Sequence, residues 1–191
     1  MGSALLQDPE RLESILKGLV TKVPLPITCK IRLIPGTSDE TFISRTIDFV
    51  KRMERTGISA IGVHCRFTHE KPRDPGHWEI FDQLSKIIKI PLIANGDFYS
   101  LDDITRIQQR LQNPSISFML ARGAQWNPSV FCKEGVKPIY DMIHEYIQIA
   151  EENEMNYKNA KYTVLQMEIP GKVGIRFKTG IAQTKNYDDL R

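Results

Sequence analysis

The sequence predicts an α/β fold in which helices cover a parallel β-sheet, and three observations support this. Four short apolar segments rich in β-branched residues are centred near residues 30, 62, 93 and 119 and alternate with amphipathic segments. Each segment is almost continuously apolar, which is typical of strands in a parallel sheet. No change in composition separates the strand-helix units, so we expect one sheet.

The first helix and the first strand have clear local signals. Asp8 is suited to cap a helix, Pro9 is suited to its first turn, and apolar residues then recur at helical spacing as far as Leu19. The β-branched run 27–33 lies between prolines and predicts a strand.

The second unit repeats this order. Ser38 is placed to cap a helix that runs through Met53 and ends near Gly57. The apolar segment 60–64 follows directly and predicts the second strand.

The remaining elements follow from the same rules. Apolar residues from Trp78 to Ile88 predict a third helix, and a capping box begins at Ser100. The third and fourth strands are predicted over 90–95 and 116–120, and a longer helix is predicted from Pro138 to about Glu151. Beyond Gln166, Pro170 and several glycines are expected to interrupt any helix.

Charge is distributed unevenly along the chain. The net charge is +3, but residues 156–191 hold 7 Lys and Arg against 3 Asp and Glu, so the positive excess lies there. Such a segment suits a polyanionic partner, but on charge alone a solvated tail is the favoured interpretation.

The predicted strands end in polar residues, at the edge of a parallel sheet where functional groups gather. Because an unpaired ammonium is costly to bury, Lys30 in an apolar strand must reach a polar opening at the end of the sheet or bind an anion. Alternatively, it extends from the strand edge into solvent. Arg122 and Gly123 offer a guanidinium and backbone N–H groups suited to phosphate, or simply form a surface turn. His64 either donates to a heteroaromatic ligand or is structural. Asn95-Gly96 permits a close backbone approach or forms a tight turn.

Together these residues resemble those of the tRNA-dihydrouridine synthases, in particular the eukaryotic subfamily that modifies the D-loop. The order and spacing of four motifs match, and the resemblance runs from Met1 to about Gln166. The motifs are Ile27-Thr28-Cys29-Lys30-Ile31-Arg32, Gly62-Val63-His64-Cys65-Arg66, Pro91-Leu92-Ile93-Ala94-Asn95-Gly96-Asp97 and the run from Met119 to Pro128.

The resemblance implies a fold larger than the four units alone predict. It places the four strands as strands five to eight, the C-terminal half of a TIM (β/α)8 barrel, followed by the start of a helical domain. Residues 1–135 would form this partial FMN-binding barrel, and 136–167 would start the helical tRNA-binding domain. Residues 168–191 would be an irregular basic tail.

The resemblance also assigns roles to individual residues. Lys30 and His64 would contact the flavin ring or its ribityl chain. The FMN phosphate would be held by Asn95, Gly96, Asp97, Ala121 and Arg122, with help from the amide of Gly123. Phosphates of tRNA would be met by Arg66, Lys71 and Arg73.

The implied reaction reduces the 5,6 double bond of a uridine in tRNA. NADPH would reduce FMN, the flavin would deliver hydride to a base taken out of its stack, and a cysteine would protonate the other carbon. That cysteine precedes the segment resembling Gly2–Leu6, so the resemblance predicts no catalytic residue within this chain. Cys65 could supply the proton instead.

Two other functions stay open at the level of sequence. One is a catalytically inactive, truncated paralogue that keeps residual affinity for FMN or tRNA. The other is a different FMN barrel that acts on a small molecule. The basic residues from Arg66 to Arg73 and the basic tail favour a polyanionic substrate over a small one.

Composition limits the setting in which the protein works. We expect no signal peptide, no membrane span and no metal site, and the three separated cysteines are typical of a reducing compartment, the cytoplasm or the nucleus. The predicted sheet leaves a strand edge at Cys29 and another at Phe118. Such edges favour self-association, or completion of the barrel by another chain.

Overall fold

A computed structural model describes residues 3–111, 116–169 and 171–190. These residues form two compact units. We call Met1–Phe98 with Asp102–Leu120 the sheet unit, and Tyr99–Leu101 with Ala121–Arg191 the helical unit.

The sheet unit contains a parallel four-stranded sheet, which confirms the predicted α/β class. Its strands are β1 (Thr28–Arg32), β2 (Ala60–His64), β3 (Leu92–Asn95) and β4 (Ile116–Met119). They lie side by side in chain order, β1-β2-β3-β4. Each strand lies within its predicted segment, because β-branched residues in short apolar runs fit a pleated sheet better than a helix.

Helices follow or precede the strands, as the alternating pattern predicts. They are α1 (Pro9–Lys22), α2 (Asp39–Glu54), α3 (Glu79–Ile87) and α4 (Leu101–Leu111). The Asp8 carboxylate accepts from the backbone N–H of Arg11 at 3.1 Å, and the Ser38 hydroxyl accepts from that of Thr41 at 3.3 Å. Both predicted caps are therefore present.

One face of the sheet packs on these helices, and the other carries the polar residues. Side chains of a strand alternate between faces, and Cys29, Ile31, Ile61 and Val63 share a core with apolar residues of α1 to α4. Thr28, Lys30, Ser117 and Met119 on the opposite face are exposed. The polar ends of the strands therefore border an open face.

The helical unit is built around a separate apolar cluster. Its elements are α5 (Arg122–Trp126), a 3-10 turn (Pro128–Phe131), α6 (Ile139–Glu152), α7 (Tyr157–Gln166), α8 (Gly171–Gln183) and α9 (Tyr187–Leu190). Ile143, Ile147, Val164, Met167 and Ile181 lie at the centre of this cluster.

The prediction of an irregular tail over 168–191 was wrong. Helix α8 occupies most of that segment, and Ile169, Ile181 and Leu190 are buried in the core of the helical unit. Each glycine costs a helix about 1 kcal/mol relative to alanine, and burial of these side chains offsets that cost. The compact units also divide between Leu120 and Ala121, so the boundary predicted after residue 135 lies inside the helical unit.

Candidate functional site

The register of the sheet aligns the predicted site residues of the first three strands. Arg32 is opposite His64, and His64 is opposite Asn95, at the carboxyl ends of β1, β2 and β3. Lys30 lies two residues before Arg32 and so shares its face. The strand order thus brings Lys30, His64 and Asn95 to one edge, as their positions in the sequence predict.

A cationic pocket of about 580 Å³ opens at this edge. Its lining includes Lys30, Arg32 and His64, together with Thr68 and Glu70 from the loop after β2. The Arg32 guanidinium donates to the Phe67 carbonyl at 2.8 Å, which ties β1 to that loop. Partial desolvation of its ammonium by the surrounding protein, followed by the charge of neighbouring Arg32, lowers the pKa of Lys30. A volume of this size is common for small-molecule and cofactor sites.

His64 is kept uncharged by its partial burial and by the cations that surround it. Its partial burial, followed by the charges of Arg32, Lys30 and Arg66, lowers its pKa to about 4, against a smaller opposing effect of Asp97. At neutral pH the imidazole is therefore uncharged and can both donate and accept a hydrogen bond.

Arg66 is buried and engaged within the protein. It is 3% exposed, its guanidinium forms an ion pair with Asp97 at 2.5 Å, and it donates to the Asp74 carbonyl at 2.7 Å. A further contact joins it to His64 Nε2 at 3.3 Å. This placement does not support direct contact of Arg66 with tRNA, because its donors face inward.

Asn95 and Asp97 use their side chains to build the strand end. The Asn95 amide donates to the Met119 carbonyl at 2.8 Å, which joins β3 to β4. The Asp97 carboxylate accepts from the Gly76 N–H at 2.8 Å in addition to Arg66. Repulsion between a carboxylate and a phosphate also argues for an organising role of the Asp97 side chain.

Gly96 allows the loops after β2 and β3 to pack closely. It adopts φ +122°, and a Cβ at this position would lie 2.6 Å from Cys65 Sγ and 3.1 Å from His64 Cδ2. A Cβ on Gly76 would meet the same sulfur at 2.6 Å. The predicted need for glycine after Asn95 therefore comes from protein packing.

Cys65 is enclosed by these glycines. Its thiol is fully buried, and burial raises its pKa to about 12. A thiol that neither reaches the pocket surface nor ionises near neutral pH is unsuited to transfer a proton to a substrate. The sequence-based alternative in which Cys65 protonates the base is therefore disfavoured.

Lys71 and Arg73 are placed differently from Arg66. Both side chains are exposed on the loop between β2 and α3. The backbone N–H of Lys71 donates to the Asp74 carboxylate at 2.7 Å, so the loop that carries these cations has internal order.

Ala121 and Arg122 belong to the helical unit, where α5 begins. The Arg122 guanidinium lies 5.1 Å from the centre of the Tyr99 ring, and Tyr99 stacks on Trp126 with ring centres 5.0 Å apart. A cation over an aromatic face is held in a defined position. Gly123, whose amide is predicted to assist Arg122, is buried in α5.

Sequence reasoning did not assign Arg32 to the pocket, and it did not single out the stacked Tyr99 and Trp126 of the helical unit. Arg32 could have been identified from its spacing, because a residue two positions after Lys30 shares its face of the strand. The stacking of Tyr99 on Trp126 depends on a return of the chain that no local pattern in the sequence indicates.

Neither a candidate metal site nor a membrane-spanning helix was found in the described ranges. Across residues 3–111, 116–169 and 171–190, no three His, Cys, Asp or Glu side chains are grouped as metal ligands. Over the same ranges, no helix combines the length and the apolar character that a membrane span requires.

Comparison with known proteins identifies what this chain is similar to. The model of the dihydrouridine synthase (Dus) family matches residues 1–185. The tRNA-dihydrouridine(20) synthase [NAD(P)+] of Schizosaccharomyces pombe is 31% identical over all of this chain and 40% of its own length. That of Saccharomyces cerevisiae is 33% identical over 90% of this chain and 46% of its own. A tRNA-dihydrouridine(16) synthase of Neisseria meningitidis is 34% identical over 68% of this chain. The chain thus spans less than half the length of the curated relatives it matches.

Proposed function

Because the chain belongs to the dihydrouridine synthase family, we propose that it forms part of an oxidoreductase that reduces uridine to 5,6-dihydrouridine in tRNA. The relatives from the two yeasts are named for position 20 and for NAD(P)+. We extend these properties to this protein as a D-loop substrate and NADPH as reductant. The four strands would be strands five to eight of the barrel.

The observation that carries the proposal is the pocket at the carboxyl ends of the strands. Lys30 and Arg32 supply positive charge, and the neutral His64 supplies hydrogen bonds. FMN is an anionic phosphate ester with a heteroaromatic ring rich in acceptor atoms, so this donor set fits it. When bound, FMN would supply hydride transfer.

The residues of this chain would then bind and orient. Lys30 would hold negative charge, while His64 would hydrogen-bond to the ring or the ribityl chain. Asn95 would keep the ends of β3 and β4 together through its bond to the Met119 carbonyl. We propose that the backbone of Gly96 and Asp97 contributes to holding the phosphate. Lys71 and Arg73 would meet tRNA phosphates, and Arg66 would organise the loop that carries them.

The proton for the second carbon of the uracil ring needs a separate donor. Cys65 is enclosed and Cys29 lies in the core, so neither thiol is presented at the pocket. We propose that a cysteine upstream of this segment supplies the proton, as the resemblance implies.

Flavin titration of the purified chain tests the cofactor site. Lys30→Met should weaken FMN binding by about 12- to 160-fold, because hydrogen bonds with a charged group contribute about 1.5–3 kcal/mol. Lys51→Met removes an exposed lysine of α2 and is the matched control, which should bind as the unchanged chain does. Equal FMN affinity of both variants would contradict the assignment of Lys30.

Gene deletion tests whether the protein forms dihydrouridine in the cell. Dihydrouridine in the tRNA D-loop should be lost when the gene is deleted and should return when it is restored. An unchanged dihydrouridine level would contradict the enzymatic proposal. FMN or tRNA binding without any change in dihydrouridine would instead support the alternative of an inactive paralogue.

A further inference from the structure

The contact between Arg66 and His64 determines more than the shape of the loop. The Arg66 guanidinium lies 3.3 Å from His64 Nε2. Arginine stays protonated and has only donors, so in this hydrogen bond Nε2 must be the acceptor. An imidazole that accepts at Nε2 carries its proton at Nδ1.

The position of Arg66 is fixed by bonds other than the one to His64. Asp97 binds the guanidinium as an ion pair, and the Asp74 and Pro72 carbonyls accept from it at 2.7 and 3.4 Å. With 3% of its surface exposed, the side chain has little room for another rotamer. The donor that faces His64 is therefore preorganised.

The charges that face the ring disfavour its protonation. Lys30 and Arg32 approach from β1 and Arg66 from the loop after β2, whereas Asp97, after β3, is the opposing acid. Glu70 lines the same pocket, but its carboxylate binds the His77 ring at 2.7 Å and the Phe67 N–H at 2.6 Å. The cations dominate around His64.

We propose that Arg66 is a positioning residue that fixes His64 as the neutral tautomer protonated at Nδ1, so that the ring presents one N–H donor to a bound acceptor atom. This inference rests on the proposed function only for the identity of the ligand, whose acceptor atom would be a carbonyl oxygen or a ring nitrogen of the flavin. The pocket thereby distinguishes a ligand with an acceptor at this point from one with a donor.

The tautomer can be read directly from the 191-residue chain without any ligand. Long-range ¹H–¹⁵N spectra of the ¹⁵N-labelled chain at pH 7 resolve its four histidine rings, and His64→Gln assigns the signal of His64. We expect a protonated Nδ1 and an unprotonated Nε2. A ring protonated at Nε2, or at both nitrogens, would overturn the proposal.

Variants test whether Arg66 determines the tautomer of His64. Arg66→Met combined with Asp97→Asn removes the donor without leaving a buried charge, and the His64 signal should become an average of two tautomers. Arg55→Met removes an exposed arginine of the same unit and should leave the signal unchanged. If the double variant does not fold, the spectrum of the unchanged chain still tests whether His64 is protonated at Nδ1. A fixed Nδ1–H in a folded double variant would show that Arg66 is not responsible.

FMN titration separates this inference from the proposed function. The double variant should bind FMN about 2- to 5-fold more weakly than Arg55→Met does, because only the fraction of rings protonated at Nδ1 then offers the donor. If the unchanged chain shows the Nδ1 tautomer but does not bind FMN, the proposed cofactor fails while the role of Arg66 stands. If it binds FMN with a ring protonated at Nε2, the role of Arg66 fails and the cofactor stands.

Discussion

At the scale of single residues, one ion pair organises the end of the sheet. Arg66 and Asp97 are 31 positions apart in the sequence and meet where the loops after β2 and β3 come together. Asp97 also adopts a positive φ of 57°, a conformation that few residue types tolerate. The pair therefore stabilises a backbone that would be strained on its own.

Removal of the acid should be costly for this reason. We expect Asp97→Ala to lower the free energy of unfolding by about 3 kcal/mol, because it leaves the buried Arg66 charge without its carboxylate. Urea denaturation measures the change. Glu10→Ala removes an exposed partner of Arg52 and is the control, with little effect expected. Similar effects of the two variants would contradict a structural role of the buried pair.

His64 should make stability depend on pH. Its folded-state pKa, about 4, lies below the ordinary value of 6.5, so between these values the unfolded chain binds a proton that the folded chain does not. Stability is therefore lost as the pH falls from 6.5 to 4. Because the ring is partly exposed, we expect a loss on the order of 1 kcal/mol.

The measurement is a series of thermal melts across that range. The dependence of the melting temperature on pH should diminish in His64→Gln. It should persist in His144→Gln, which removes an exposed histidine of α6. A full slope in His64→Gln would show that other groups cause the pH dependence.

At the scale of elements, local signals and tertiary packing determined different parts of the fold. The strands and the helix caps were predictable, since runs such as 60–64 and cap residues such as Ser38 act over a few positions. Helix α8 was not, because the glycines that weaken it are outweighed by the burial of Ile181 against distant residues. Long-range contacts of this kind leave no local pattern.

The glycines of α8 offer a test of that explanation. A Cβ on Gly180 would meet no heavy atom within 4 Å, so Gly180→Ala should stabilise the protein by about 0.5–1 kcal/mol. A Cβ on Gly174 would lie 1.9 Å from the Ile169 carbonyl oxygen, so Gly174→Ala should destabilise it. Urea denaturation of the matched pair should give opposite signs. Equal signs would show that α8 is not packed as described.

The candidate site was likewise predictable only in part. Lys30, His64 and Asn95 could be placed at one edge, since parallel strands align their carboxyl ends. The burial of Arg66 could not be foreseen, because its carboxylate partner comes from a loop far along the chain. Residue type alone does not distinguish a solvent-facing arginine from one that is buried and paired.

At the scale of the whole molecule, exposed cations should govern the affinity for tRNA that the proposed function requires. Lys71→Ala and Arg73→Ala should each weaken tRNA binding and reduce the salt dependence, measured as log K against log salt concentration, by about 1. Filter binding over a range of salt concentrations measures both quantities. Lys51→Ala on α2 is the control and should keep the full slope. An unchanged slope in the loop variants would exclude those side chains as phosphate contacts.

The edges of the sheet should govern association of the isolated chain. Among the described strands, β1 and β4 are the outer ones, and each has a backbone edge that can pair with another strand. We therefore expect the 21.9 kDa chain to elute as an oligomer in size-exclusion chromatography with light scattering. Thr28→Lys with Ser117→Lys should shift it toward monomer, whereas Gln83→Lys on α3 should not. A compact monomer that melts cooperatively would contradict this expectation.

The enclosure of Cys65 between Gly76 and Gly96 has a consequence for how local opening can be observed. An alkylating reagent can reach this sulfur only when the two strand-end loops separate, since both backbones lie against it. The rate of alkylation at Cys65, followed by mass spectrometry, therefore reports the frequency of that separation. A ligand that bridges the loops would slow the modification, which makes a native thiol a reporter of occupancy without any added label.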